Sequence, residues 1–437
     1  MSYKSYDRLL FYIFSVVAVL SVFQAAAFNT RTFPISPAVC GELFFALFLM
    51  VRYLLPGNGG KISDHQEVLI IFVFVTYSIV TAFTLPFVFE GMLVYVPRNG
   101  ITLRANGLLR FSISNIGEAI YLLLNALLFI GVFNIKIFRA DKKVIKVFLL
   151  MGIVALFFSL YQKISQSFGI YFPYQWVNSN AFYYQGYNQT VASGLARGSG
   201  TFTEPSYNGN FLGMYFVYYL VSVYYRLNVK RMVMALLYLY ATLIATSSLG
   251  YIEIIFGIAI IFMLFIFNLG GRIKISKIYV VTLFTIIFSL AAIYFSHLLY
   301  LEVFDKLSSV SAIERANSNF SALMILANTY GFGVGLGSNR PSSFAFYLLS
   351  NVGIIGTFIF ACFIFFILNN LISNYKVIDY EGKSLLFAFL ALLVGKIAGA
   401  PDLSFTSFWV VLIIVAVVNK SVDRSANHGA VIADASN

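Results

Sequence analysis

The stretch Arg197–Tyr225, RGSGTFTEPSYNGNFLGMYFVYYLVSVYY, reads in two halves. The first, to Gly213, gathers an arginine, a glutamate, a proline and several hydroxyl and amide side chains. The second is an unbroken apolar and aromatic run. Proline suits the first turn of a helix, where the N–H it lacks would go unpaired, so Glu204-Pro205 predicts a helix start. A helix that begins at a membrane surface aims its unpaired N–H groups and positive dipole end outward. With Arg197 close by, this makes a seat for a phosphate or pyrophosphate, with the Glu204 carboxylate beside it. The same two side chains also suit a plain ion pair that fixes the loop, and the residues alone support both readings equally.

The rest of the chain explains why so polar a stretch stands out. Of 437 residues, 60% are hydrophobic and 11% charged, and the mean hydropathy is +0.86. Soluble domains are about one quarter charged, so this composition is that of a polytopic membrane protein. The net charge of +12 would suggest nucleic acid in a soluble protein. Here it follows from Lys/Arg-rich cytoplasmic loops, and no nucleic-acid partner is expected. Cys40 and Cys362 lie in apolar runs, and His65, His297 and His428 are far apart, so neither a disulfide framework nor a metal site is expected. The first apolar run is long enough to span and has no small-residue cleavage site, which predicts an anchor and not a signal peptide.

A span needs about 20 apolar residues. Twelve such runs stand at 9–28, 37–55, 67–89, 112–134, 144–166, 206–225, 231–247, 250–269, 277–299, 344–368, 383–400 and 404–419. The seventh and eighth meet at Ser247-Ser248-Leu249-Gly250. Lys and Arg concentrate in alternate connections, which places both termini in the cytoplasm. The expected fold is therefore an all-α polytopic membrane protein of about twelve transmembrane helices. One transmembrane domain fills residues 1–420, and a disordered cytoplasmic tail fills 421–437.

Two outside loops are long, 167–205 and 300–343, and long loops in compact proteins are often functional. The first contains YFPYQWVNSNAFYYQGYNQ, whose rings, amides and hydroxyls suit carbohydrate; an interfacial aromatic belt is the plainer alternative. The second predicts a helix from Ala312 to Asn328. Ile313, Ala316, Phe320, Leu323, Met324 and Ala327 fall on one side of it, as in a helix lying on a membrane. The segment YGFGVGLGSNR, 330–340, follows. Its glycines allow close backbone approach to a ligand or an anion-binding nest, with Arg340 nearby.

Ionisable residues inside spans are costly and usually mark function. Glu42, Glu118, Lys163, Glu253, His297 and Lys396 all lie in apolar runs, each nearer the outer end of its span, and Asp402 lies at the outer turn of the last two spans. A transmembrane proton relay would put charges at several depths. This distribution predicts a polar cavity open to the outside, made attractive to anions by Arg98, Arg104, Arg110, Arg197, Arg315 and Arg340. Snorkelling to the interface accounts equally for Lys163 and Lys396.

GSGTFTEPSYNGNFLG, TSSLGYIEIIFG and YGFGVGLGSNRPSSFAFYLLSNVGIIG, in that order, resemble the O-antigen and exopolysaccharide polymerase (Wzy) family, a branch of the polymerase and ligase superfamily. The resemblance covers about 168–366 by motif and the remainder by topology. It implies a bacterial inner-membrane glycosyltransferase with its site facing the periplasm and no cofactor or metal. Its substrates are oligosaccharides linked to undecaprenyl pyrophosphate. A growing chain passes to the acceptor sugar of one repeat unit as undecaprenyl pyrophosphate leaves, with inversion. The implied partners are the lipid bilayer and a chain-length regulator and flippase of the same pathway. The leaving group needs charge stabilisation, for which Arg197, Arg315 and Arg340 are the candidates. The acceptor hydroxyl needs a base or an orienting carboxylate, for which Glu204 is the candidate. Catalysis is thus assigned to Glu204, Arg197 and Arg315, pyrophosphate binding to Arg197, Arg315 and Arg340, and substrate binding to Tyr207, Asn210 and Lys396.

The related ligases carry a histidine in the second long loop, where this chain reads Pro341-Ser342-Ser343. They also often carry an arginine in the segment matching TSSLGY, where this chain has none. An O-antigen ligase, a polysaccharide or lipid transporter or flippase, and a non-catalytic component of polysaccharide assembly remain as alternatives.

Overall fold

The computed structural model describes residues 3–29, 34–54, 66–97, 104–135, 137–138, 143–180, 196–267 and 310–419, with isolated positions between 278 and 286. In chain order the elements are α1 Tyr3–Leu20, β1 Phe28–Asn29, β2 Pro34–Ile35, α2 Pro37–Leu54, α3 Gln66–Val88, β3 Leu93–Pro97, β4 Arg104–Leu108, α4 Ile113–Asn134, α5 Lys143–Phe168 and the short α6 Tyr174–Val177. They continue with α7 Pro205–Tyr225, α8 Val229–Ile244, α9 Ser248–Ile266, α10 Val310–Asn328, α11 Phe344–Ser373, α12 Tyr380–Gly399 and α13 Thr406–Asn419.

Seven of these helices, α2, α3, α4, α5, α9, α11 and α12, are long and apolar enough to cross a membrane. Their outward faces carry large apolar side chains such as Leu69, Phe72, Phe157, Phe358 and Phe365, which suits hydrocarbon contact. The predicted runs 206–225, 231–247 and 404–419 are also helical, as α7, α8 and α13. Most of 277–299 lies outside the described residues, as do His65, His297, Arg98 and the tail.

The helical class holds, with two short strand pairs besides. β1 pairs with β2, and β3 with β4 as an antiparallel hairpin inside the loop 90–111. Leu109 N–H extends the hairpin by donating to Met92 O at 2.7 Å, and Tyr95 N–H donates to Asn339 Oδ1 at 2.8 Å. The partner that secures Tyr95 is 244 residues away, which no local pattern reveals.

The described residues form two compact units, Met1–Met151 with Ser318–Ile378 and Pro401–Asn437, and Gly152–Asn317 with Asp379–Ala400. In the second, α7 is the hub, with α8, α9 and α12 packed around it. Every residue from Asn208 to Tyr224 is buried, as a helix apolar on all sides requires. Gly209 and Gly250 let α7 and α9 touch: a Cβ on Gly250 would stand 3.4 Å from the Gly209 Cα. Tyr238 of α8 stacks on both Tyr215 and Tyr219, with centroids 5.3 and 5.4 Å apart. Helices α8 and α12 run antiparallel to α7 and α9 runs parallel to it, so the start of α7 lies by the start of α9 and the end of α12, where Asn210 meets Gly395. At the opposite pole Tyr224 Oη donates to Leu264 O near the end of α9.

In the first unit, α3 packs on α4 and α11, and α2 on α1 and α4. Phe74, Phe129, Phe360, Phe363 and Trp409 form its aromatic core, and Trp409 Nε1 donates to Leu403 O at 2.7 Å. Helix α11 is broken at Gly353, which has φ 69°.

Candidate functional site

The polar stretch at the head of α7 is held in one conformation by buried side chains. Pro205 occupies the first helical turn, and Glu204 is the N-cap residue with extended backbone, φ −142° and ψ 152°, as Glu204-Pro205 predicts. Asn208 reaches back from α7, its Nδ2 donating to Gly198 O at 2.9 Å and its Oδ1 accepting from Ser159 Oγ at 3.0 Å. Gln162 of α5 accepts from Gly200 N–H at 2.6 Å and donates to Ser199 Oγ at 3.3 Å. Gly200 has φ 58°, and a Cβ there would stand 2.7 Å from Ser159 Oγ. Thr201, Phe202 and Thr203 are buried, and the Phe202 ring meets Phe211 at 5.1 Å.

Glu204 stays at the edge of this buried clamp. It is half-buried, accepts one hydrogen bond from Ser206 Oγ at 3.0 Å and does not bond the backbone of its own helix. Among the described residues no ion pair joins it to a cation, so the simple Arg197–Glu204 pair is not formed. Arg197 and Tyr207 are also half-buried. The structure thus presents a carboxylate at the positive end of a helix, with an arginine on the loop that leads into it.

Deeper along α7, Asn210 faces inward. Its Oδ1 and Glu253 Oε1 both lie within 2.5 Å of the point where a Cβ on Gly395 would stand. A Cβ on Gly213 would fall on Glu253 Oε2. Among the described residues, neither Glu253 oxygen nor Asn210 Oδ1 has a hydrogen-bond partner. Lys396 follows Gly395 in the last turn of α12 and is 3% exposed. Asn210 and the end of α12 are therefore brought together, around a buried carboxylate. Arg315, half-buried, sits in the first half of α10 in the same unit.

Arg340 belongs to the first unit. Its Nη2 pairs with Asp402 Oδ1 at 2.6 Å, and the two side chains are 27% and 4% exposed. In the same unit Glu118 accepts from Ser404 Oγ at 3.2 Å and from Tyr347 Oη at 3.4 Å. The glycine-rich segment before Arg340 is not an open nest. Its amides already serve protein acceptors: Val334 N–H donates to Ser350 O and Gly335 N–H to Asn351 O, both at 2.9 Å, and Ile354 N–H returns a bond to Gly331 O at 2.9 Å. These replace helical bonds lost where α11 breaks. The close backbone approach expected of the glycines exists, but toward another piece of backbone. Asn351 fixes the turn that follows, its Oδ1 accepting from Ser338 and Asn339 N–H and its Nδ2 donating to Asn339 O and Tyr347 O.

Sequence reading missed Asn208, Gln162 and Asn351, the side chains that shape these segments. The one available signal was an amide placed where an apolar helix should have an apolar residue. Compared with known proteins, the chain matches no family model and shows no significant similarity to any curated protein.

Proposed function

We propose that this chain is a bacterial inner-membrane polysaccharide polymerase that passes a growing glycan from undecaprenyl pyrophosphate to a repeat unit on the same carrier. The observation that carries the reading is Glu204: a carboxylate with no ion pair among the described residues, at the start of a buried hub helix, on a loop whose shape is set by Asn208 and Gln162. In the reaction, the acceptor hydroxyl attacks the anomeric carbon as the bond to the pyrophosphate oxygen breaks. Glu204 takes the hydroxyl proton, and the configuration inverts. Arg197 stabilises the departing diphosphate, and Arg315 is the second cation assigned to it. Arg340, tied to Asp402, is left out of the chemistry. Twelve spans, cytoplasmic termini and a periplasmic site complete the proposed topology. The break in α11 at Gly353 is a feature transporters use, but here the freed carbonyls are taken by the glycine segment.

The test uses purified protein with lipid-linked repeat units. Wild type makes a ladder of longer lipid-linked glycans. Glu204→Gln lowers the rate by about 10²–10⁴-fold, the usual worth of a positioned base. Arg197→Ala lowers it by about 10²–10³-fold. Transfer to a lipid A core by wild type would make it a ligase. Lipid flipping in vesicles without any transfer would make it a transporter.

A further inference from the structure

At the pole of the second unit opposite Glu204, the ends of three helices bring together cations that the proposed reaction does not use. Arg226 closes α7, Lys230 and Arg231 open α8, and Tyr380 opens α12. The Arg231 guanidinium lies over the Tyr380 ring at 4.4 Å, and that of Arg226 over the same ring at 5.7 Å. Arg231 Nη2 also donates to Tyr380 Oη at 2.6 Å, and that hydroxyl donates to Glu381 Oε1 at 2.9 Å. Lys383 Nζ lies over the neighbouring Tyr225 ring at 5.2 Å.

Four cations, Arg226, Lys230, Arg231 and Lys383, stand here with two carboxylates, Glu381 and Asp379. Glu381 accepts from the Tyr380 hydroxyl to which Arg231 donates, and Asp379 both caps α12, accepting from Gly382 N–H at 2.9 Å, and attracts Lys383. Among the described residues, none of Arg226, Lys230 and Arg231 forms an ion pair. Two guanidinium groups over one ring repel each other, and a further anion beside them offsets that repulsion. A planar guanidinium suits phosphate oxygens in particular.

Position selects the anion. Tyr380 is the first residue of a helix apolar enough to cross a membrane, so its ring stands at the level of the lipid headgroups, where tyrosine is favoured. Arg226 and Lys230 are exposed and Arg231 half-buried. We propose that Arg226 and Arg231, held on Tyr380 with Lys230 beside them, bind the headgroup phosphate of an anionic phospholipid. The site is independent of the polymerase reading.

The experiment uses the full chain in detergent, with native mass spectrometry and thermal unfolding read in parallel. Added phosphatidylglycerol should remain bound and raise the unfolding midpoint, while phosphatidylcholine and inorganic phosphate do neither. Arg226→Gln with Arg231→Gln should weaken phosphatidylglycerol binding by about tenfold or more, since each cation near a charged headgroup contributes roughly fivefold. Arg226→Gln alone, at an exposed position, covers the case in which the double variant does not fold, with about a fivefold loss expected. Equal binding of the two lipids, or unchanged affinity in the variants, would overturn the site. Stabilisation by inorganic phosphate without lipid preference would overturn the lipid as its ligand.

Discussion

Glu253 and Glu118 show how much a carboxylate depends on its neighbours. Glu253 is fully buried, and among the described residues no donor serves either of its oxygens or the Asn210 oxygen beside it. Glutamine at this position keeps the shape and adds an N–H donor facing Asn210. Glu253→Gln is therefore expected to raise stability by about 1 kcal/mol, the net worth of a hydrogen bond. Glu118 is the reverse case, with each oxygen accepting from a hydroxyl. Glu118→Gln turns one acceptor into a donor facing a hydroxyl already placed to donate, and should cost about 1–3 kcal/mol. Unfolding midpoints of the two variants in one detergent check the opposite signs; equal signs would refute the contrast. Both glutamates were legible in the sequence as charges within apolar runs. Which one is satisfied was not, because Ser404 lies 286 residues from Glu118.

Among the elements, the segment 330–340 and the broken helix α11 form one unit of construction. Gly333 has φ 80°, and a Cβ there would stand 2.8 Å from Ser350 O and 2.9 Å from Asn351 O. Gly353 has φ 69°, and its Cβ would fall on the carbonyls of Gly331 and Phe332. Gly333→Ala and Gly353→Ala should each cost about 3 kcal/mol or more, from left-handed backbone strain and overlap with fixed carbonyls. Gly117 in α4 has an ordinary φ and nothing within 4 Å of its Cβ position. Gly117→Ala should instead stabilise by about 0.5–1 kcal/mol, through the unfolded chain's lost freedom. Thermal unfolding of the three proteins separates these outcomes. Helix α10 matches its predicted span, and the sides it presents are informative. Ser318, Ala322, Ile325 and Thr329 are buried, while Ile313, Phe320, Leu323 and Met324 are exposed. The stripe read as a membrane face is thus left uncovered by protein, and the small-residue face does the packing.

For the whole molecule, the seven apolar helices and their exposed Leu, Phe and Ile side chains predict integral membrane behaviour. After alkaline carbonate treatment of membranes, the chain should stay wholly in the pellet. Its release to the supernatant would contradict a spanning fold, because hydrocarbon contact and not headgroup charge is expected to hold it. The cationic pole of the second unit makes a separate prediction at this scale: stability should depend on the charge of the surrounding lipid, as the Arg226 and Arg231 variants test.

The sequence by itself determined the helical, membrane-suited class, nearly all the helix positions, the start of α7 at Glu204-Pro205 and the break between α8 and α9. These follow from local causes, apolar run length, proline geometry and polar interruptions, which act within a few residues. Only the tertiary structure decided that α7 is a buried hub, that Asn208 and Gln162 shape the loop before Glu204, and that Arg340 is tied to Asp402. It alone decided that the glycine segment completes a broken helix. Each of these is a contact between distant parts of the chain. The same amide or glycine would read identically in sequence whether it faced a ligand, lipid or another helix, and only packing tells those apart.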